Sequence, residues 1–235
     1  MLFDPPLIRA ILLRRYKRFL ADVILPDGRE VVVHCANPGR MTGVADAGAA
    51  VWLQASINPK RKLQWSWVLT ELGGGAFAGI DTSLPNRLVA QALQDGQIAE
   101  LTQWDTIRPE VPYGTRSRVD FLLSDPDQSD LYLEVKNVNL RRAGTLAEFP
   151  DCKTARGAKH LDELIQVVAD GHRATMLYVV QRTDCDAVSF AADLDPVYAM
   201  KVTQAAQAGV QMIARATRIS AHGITLGRAL PVILP

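Results

Sequence analysis

Apolar and polar positions alternate in short runs up to Asp81, and turn-forming residues separate the runs. A period of two broken this often by Gly, Pro, Asn and Asp predicts short β-strands closing into a small barrel. Residues 7–25 read as one long strand, Pro26-Asp27-Gly28 as a tight turn and residues 30–35 as a second strand. Val51 to Ser56 alternates like a strand, and Trp65 to Leu72 is a further one that Gly73-Gly74-Gly75 ends. Beyond Asp81 the period lengthens. Ser83 precedes Leu84 and Pro85, apolar Leu88, Ala92 and Leu93 follow at helical spacing, and Gly96 closes the run. This predicts a helix capped by Ser83, and the domain boundary is placed just before it: 1–83 as an OB-like β-barrel, 84–235 as an α/β domain.

In the second part, Pro109 and Pro112 mark residues 107–112 as an edge strand. Residues 117–123 and 131–138 predict a β-hairpin across a polar loop, 124–130, and residues 141–145 a linker. A helix opens within 149–160, carries the stripe Leu161, Leu164, Ile165 and Val168, and ends at Gly171. An apolar strand at 173–181, a helix at 195–209 begun by Pro196, and a strand at 210–217 complete the pattern. Strand, helix, strand in that order predicts a parallel crossover, hence a mixed central sheet flanked by helices. A helix-turn-helix pivoting on Gly209 is rejected, because the run from Val210 is β-branched and of strand length.

The hairpin holds the candidate chemistry. Glu134 and Lys136 are two apart on one strand and share a face, and Asp120 reaches the same neighbourhood from the partner strand. Mg2+ is a hard cation that takes oxygen ligands, usually one or two carboxylates with waters and phosphate. Asp120, Glu134 and the Val135 carbonyl offer such oxygens, and Lys136 could orient a water or balance charge on a phosphoryl group. Spacing alone leaves a second reading open, in which the three are the solvated face of an ordinary hairpin.

Basic residues collect in four places. As a strand, the cluster at 14–19 sets Arg14, Tyr16 and Arg18 on one side and Arg15, Lys17 and Phe19 on the other, a mixture of cations and rings suited to unpaired bases. Lys60, Arg61 and Lys62 lie near Trp65 and Trp67, although tryptophans in a small barrel serve more often as core. Arg116 and Arg118 precede Asp120 and could reach a phosphate. Lys153, Arg156, Lys159 and His160 share a broad face at a helix start, where phosphate is attracted. Asn37-Pro38-Gly39-Arg40-Met41 reads as a plain loop, with an anion-binding nest as the lesser alternative.

Composition narrows the classes. A chain of 235 residues with a net charge of +1 has no global pull towards nucleic acid, so binding must come from local surfaces. Three scattered cysteines, Cys35, Cys152 and Cys185, suit a reducing cytoplasm, and four separated histidines argue against structural zinc. The N-terminal run, with an acid and two prolines, is not an export signal, and no apolar run is long enough for a membrane span.

Several stretches resemble the sugar fermentation stimulation protein A family, and in the family's order. They are residues 15–23 (RYKRFLADV), 34–39 (HCANPG), 117–123 (SRVDFLL), 133–136 (LEVK), 149–151 (FPD) and 156–161 (RGAKHL). Asp120 followed by Glu134-x-Lys136 also resembles the PD-(D/E)xK nuclease signature, with Val119 where a proline often stands. The resemblance implies an N-terminal OB-like barrel, a nuclease-like α/β domain, and binding to DNA, single- or double-stranded, or to RNA. It further implies either phosphodiester hydrolysis with Mg2+ or Mn2+, or a regulator of sugar utilisation genes that keeps the nuclease scaffold without turnover. The family's first helix carries Glu where this chain has Gln91, which removes a charge expected near the metal.

Overall fold

The structure is a computed structural model, and it describes residues 1–235 apart from 103, 115 and 116. The barrel comprises β1 (Ile8–Tyr16), β2 (Leu20–Ile24), β3 (Glu30–Cys35), β4 (Ala50–Ala55) and β5 (Trp65–Leu72). β1 pairs with β2 and β4, β2 with β3 and β4 with β5, and a short parallel pairing of β3 with β5 closes the circle. Closure leaves few unpaired edges and lets alternate residues, among them Leu12, Val23, Leu53 and Trp67, fill the interior. Trp67 is core, as its residue type favoured.

One expectation fails here. Residues 7–25 are not a single strand, because the chain reverses at Lys17-Arg18-Phe19 between β1 and β2. Lys17 and Arg18 adopt positive φ, 49° and 63°, which residues other than Gly, Asn and Asp seldom do. The turn is tied by Phe19 N donating to Lys17 O at 2.7 Å and Arg15 Nε to Arg18 O at 3.1 Å. The basic cluster therefore straddles a hairpin tip, and its residues do not share two strand faces.

β6 (Ala76–Gly79) extends from β5 towards the second part of the chain. α1 (Leu84–Gln94) follows, with Pro85 in its first turn. Ser83 does not cap it: the hydroxyl donates to Asp81 Oδ1 at 2.7 Å and makes no bond to a helix N–H. The main sheet has the order β15-β14-β12-β9-β8-β7. Its members are β7 (Thr106–Tyr113), β8 (Ser117–Asp125), β9 (Gln128–Val138), β12 (Arg173–Val180), β14 (Gln211–Ser220) and β15 (Gly223–Leu230). β9, β12 and β14 run parallel and the other neighbours antiparallel, so the crossover and the edge position of β7 are as expected. The β8–β9 hairpin turns on Pro126 and Asp127, so most of the anticipated loop is strand.

α1 covers one face, with Val89, Ala92 and Leu93 against Leu133, Val135 and Leu177. α2 (Ala155–Ala169) and α3 (Pro196–Gln207) cover the other, with Leu161, Leu164 and Val202 against Met176, Tyr178 and Val180. Residues 211–220 being strand excludes a recognition helix there. The sequence reading missed a three-stranded sheet of β10 (Leu140–Arg141), β11 (Leu146–Phe149) and β13 (Ala187–Phe190), in which the supposed linker joins β10 to β11.

Barrel and sheet are joined by backbone. Gly79 N donates to Gln181 O at 2.9 Å, Thr183 N to Phe77 O at 3.0 Å, and the Asn139 amide to Gly79 O at 2.7 Å. The Asn37-Pro38-Gly39 loop is a second clasp. Arg15 Nη2 holds the carbonyls of Asn37 and Gly39 at 2.7 and 2.9 Å, and Met41 N donates to Asp151 Oδ2 at 3.1 Å. A Cβ on Gly39 would stand 2.5 Å from that same oxygen, so the approach needs glycine. Among the described residues no helix is long and apolar enough to cross a membrane.

Candidate metal and nucleic-acid site

The site lies where two strands part. β8 and β9 pair as far as Phe121 opposite Leu133; beyond that β8 pairs with β7, and β9 with β12. Extending that register sets Asp120 opposite Glu134 and on the same face of the sheet. Inside the fork Asp120 does the work of a missing ladder partner, its Oδ2 accepting the Val135 N–H at 2.7 Å. Its Oδ1 accepts from Asn86 Nδ2, on the first turn of α1, at 2.7 Å. N–H and C=O of one strand residue leave to the same side, so the Val135 carbonyl is directed into the fork as well.

Glu134 is 2% exposed. Its Oε1 accepts from Lys136 Nζ at 2.6 Å and is hydrogen-bonded to His160 Nδ1, from α2. Its Oε2 is buried without a hydrogen-bond partner. Thr154 caps α2, its Oγ1 accepting from Gly157 N at 3.1 Å, and this fixes the turn that presents His160. Arg156 Nε donates to His160 Nε2 at 3.3 Å. A nitrogen that accepts from guanidinium carries no proton, so His160 is the tautomer protonated on Nδ1, which donates to Glu134.

The two carboxyls are driven apart electrostatically. Burial first, and then the charge of Glu134, push Asp120 up to about 6. Burial acts upwards on Glu134 too, but the hydrogen bond from His160 and the charge of Lys136 outweigh it and hold Glu134 below the usual range. Tyr113, from β7, is raised by burial and by the nearby Glu134, Glu163 and Asp120. A divalent cation fits these donors in kind: two carboxylates on one face, one buried oxygen unpartnered, and a carbonyl in the fork. Among the described residues no cluster of three or more His, Cys, Asp or Glu side chains surrounds one point. Any cation here would therefore draw its remaining ligands from backbone, water or substrate.

The expected phosphate-binding residues are distributed unevenly. Lys153, Arg156 and Lys159 are exposed at the start of α2, and Lys159 Nζ meets Ser117 Oγ at 3.0 Å and Glu163 at 3.2 Å. His160 is 3% exposed, which corrects its expected role: it faces Glu134 and not solvent. Arg118 is exposed on β8 close to the fork, and Arg116 lies outside the described residues. At the barrel, Arg14 and Tyr16 are bound to Asp22 at 2.7 and 2.9 Å, and Arg15 holds the clasp loop, which leaves Lys17, Arg18 and Phe19 exposed at the tip.

The family description "SfsA N-terminal OB domain" matches residues 13–80, and "Sugar fermentation stimulation protein RE domain" matches residues 83–223. The chain belongs to the sugar fermentation stimulation protein family. Relatives named sugar fermentation stimulation protein homolog, from Dinoroseobacter shibae and Jannaschia sp., are 55% and 54% identical over 99% of this chain and 96% and 97% of their own lengths. The structure of SfsA from Pyrococcus furiosus in complex with Ca2+ has a TM-score of 0.88 and 27% identity, over 99% of this chain and 98% of that one.

For this family member the first helix serves the site through Asn86. Gln91 is exposed on α1, in a groove beside Arg218 and Arg228, and does not face the fork. Glu100, an acid that follows α1 in the chain, is engaged by buried Arg215. Asn86 and Tyr113 carried no sequence signal that ties them to Asp120. His160 did carry one: with Leu164 and Val167 it repeats at four and three, the spacing of the buried face of α2.

Proposed function

We propose that this member of the family is a divalent-metal-dependent phosphodiesterase acting on nucleic acid in the cytoplasm. The observation that carries the reading is the buried, unpartnered Glu134 Oε2, on the same face as Asp120 at the mouth of a strand fork. Asp120, Glu134 and the Val135 carbonyl would hold Mg2+ or Mn2+, and the P. furiosus relative solved in complex with Ca2+ supports a divalent cation as the group bound. When bound, such a cation supplies charge to a phosphoryl oxygen and eases ionisation of water. Lys136 Nζ, anchored on Glu134, stands where it can orient the attacking water or take up developing negative charge. His160 holds Glu134 by Oε1 and turns Oε2 towards the fork, while Arg156 and Lys153 receive flanking phosphates.

One observation favours a second reading. The charge of Lys136 and a hydrogen bond from His160 already satisfy Glu134 Oε1 from within the protein, as they would in a DNA-binding regulator of sugar utilisation genes that has lost turnover. Incubation of supercoiled plasmid and single-stranded circular DNA with Mn2+ separates the two. Wild type should cut, and Glu134→Gln and Lys136→Ala should each lower the rate by roughly a thousandfold with binding retained. Wild type that binds but never cuts, with Mg2+ or Mn2+, overturns the phosphodiesterase and leaves the regulator.

A further inference from the structure

Two concavities meet at the junction of barrel and sheet. The larger, about 870 Å3, runs between the barrel and the start of α1, with Phe19, His34, Arg61 and Arg87 in its walls. The smaller, about 470 Å3, lies over β9 and the approach to α2, with Lys136, Lys153 and Arg156 in its walls. Pro38 and Thr82 line both. The two adjoin at the clasp loop, and taken together they make a trench that ends at the lysine anchored on Glu134.

We propose that this trench is the path of one unpaired nucleic-acid strand, so that the substrate class of the fork is single-stranded; as a statement about the substrate it rests on the phosphodiesterase reading. Cations are spaced along the whole course. Arg61 meets Ser66 Oγ at 2.9 Å and Arg87 meets Met1 Sδ at 3.3 Å, contacts that leave the charge of each guanidinium for a phosphate. Of the acids in the walls, Glu148 is paired with Arg142, Asp81 accepts from Ser83 and Asp151 from Met41 N, and Asp4 lines the larger concavity as well. At the entrance Phe19 is 46% exposed, beside Lys17 and Arg18. The positive φ of those two residues holds ring and cations out from the tip, and an exposed ring between cations is the arrangement that stacks an unpaired base while holding its phosphates. Concavities of this size admit a few nucleotides of one strand. A duplex keeps its bases stacked inside and offers none to the walls.

Fluorescence anisotropy of the full chain in EDTA tests the path without calling on the metal site. An oligothymidylate of about twelve nucleotides should bind at least roughly tenfold more tightly than a duplex of the same length. Phe19→Ala should weaken single-strand binding by about tenfold, and Arg87→Ala should lower the slope of log affinity against log salt by about 0.7. Both positions are exposed, so thermal midpoints should match wild type. Equal affinity for duplex, or single-strand binding untouched by both variants, overturns the trench. Wild type that binds single strand but cuts nothing with Mg2+ or Mn2+ sinks the metal reading and leaves the strand path. Cleavage of duplex with no single-strand preference sinks the path and leaves the metal site.

Discussion

The barrel and the mixed sheet handle charge in opposite ways. Among the described barrel residues the buried polar side chains are Asn37 and Thr70, and the ion pairs, Arg9 with Glu71, Arg14 with Asp22 and Arg29 with Asp27, lie at the surface. The second part of the chain buries Glu134, Arg182, Asp195 and Arg215. Asp195 caps α3 through Tyr198 N at 3.0 Å, and Arg182 pairs with Asp184 at 2.9 Å while holding Asn139 O. Those two charges are explained by the fold. Glu134 is different, because a buried carboxylate costs several kcal/mol unless fully partnered, yet one of its oxygens has no partner and a second carboxyl faces it. The comparison teaches that the charge left unresolved lies in the sheet and not in the barrel: at Arg215, whose Nε is buried without a partner although Glu100 meets its charge, and most acutely at the fork, where two carboxyls face each other and a ligand could relieve the cost.

The largest expected effect comes from removing that cost at Asp120. Its folded carboxyl titrates at about 6 against an ordinary 3.8, so the folded state holds this proton more tightly than the unfolded chain. Stability from this group is therefore greatest below the unfolded value, declines as pH rises through the folded one, and stays lost above it. Two pH units correspond to about 3 kcal/mol. Asp120→Asn, whose amide oxygen can still accept from Val135 N while its NH2 donates to an Asn86 amide turned to present its oxygen, should be more stable than wild type near neutrality by up to about that amount, the gain vanishing below about pH 4. Urea unfolding at the two pH values checks this. Mn2+ should raise the wild-type melting temperature near neutrality and do so less at acid pH, where the proton competes. A variant less stable than wild type at neutral pH would mean that the fork is not strained and that the contrast with the barrel is false.

Much of this contrast could be read from the chain before folding, and the remainder for definite reasons could not. Alternation along a strand requires Glu134 and Lys136 to share a face, and the hairpin brings Asp120 across from them. The fork itself was invisible, since where the ladder between β8 and β9 stops is set by how each follows its outer neighbour, β7 or β12, which alternation along a strand does not show. The turn at Lys17 and Arg18 was hidden because positive φ is borne there by residues that do not announce it. The small sheet escaped because β10, β11 and β13 are too short to show a period. His160 was assigned to a phosphate-binding face from charge spacing, although its spacing to Leu164 and Val167 placed it on the buried one.

An intermediate effect tests whether His160 belongs with the structural charges or with the site. His160→Ala deletes a hydrogen bond to a buried carboxylate and should cost about 2 kcal/mol in urea unfolding. It should also slow Mn2+-dependent cleavage, because Glu134 loses the contact that fixes Oε1, and His160→Gln should restore part of the rate by offering an N–H donor. Stability lost with cleavage unchanged would make His160 a packing residue and detach α2 from the chemistry.

The smallest effect is expected in the barrel, and it bears on the other half of the comparison. Arg14 bonds Asp22 at 2.7 Å and lies over the Tyr16 ring, 5.1 Å from its centre. The guanidinium is the leading cause that holds Asp22 below its ordinary 3.8, so any stability from the pair is present above that pH and is lost on acidification. Both groups are in contact with solvent, where water and salt screen the attraction and two long side chains lose freedom to meet. Arg14→Ala should leave the urea midpoint unresolved from wild type at physiological salt. If it instead lowered the midpoint as far as His160→Ala does, surface pairs in the barrel would carry as much of the fold as the buried ones, and the fork would no longer stand apart.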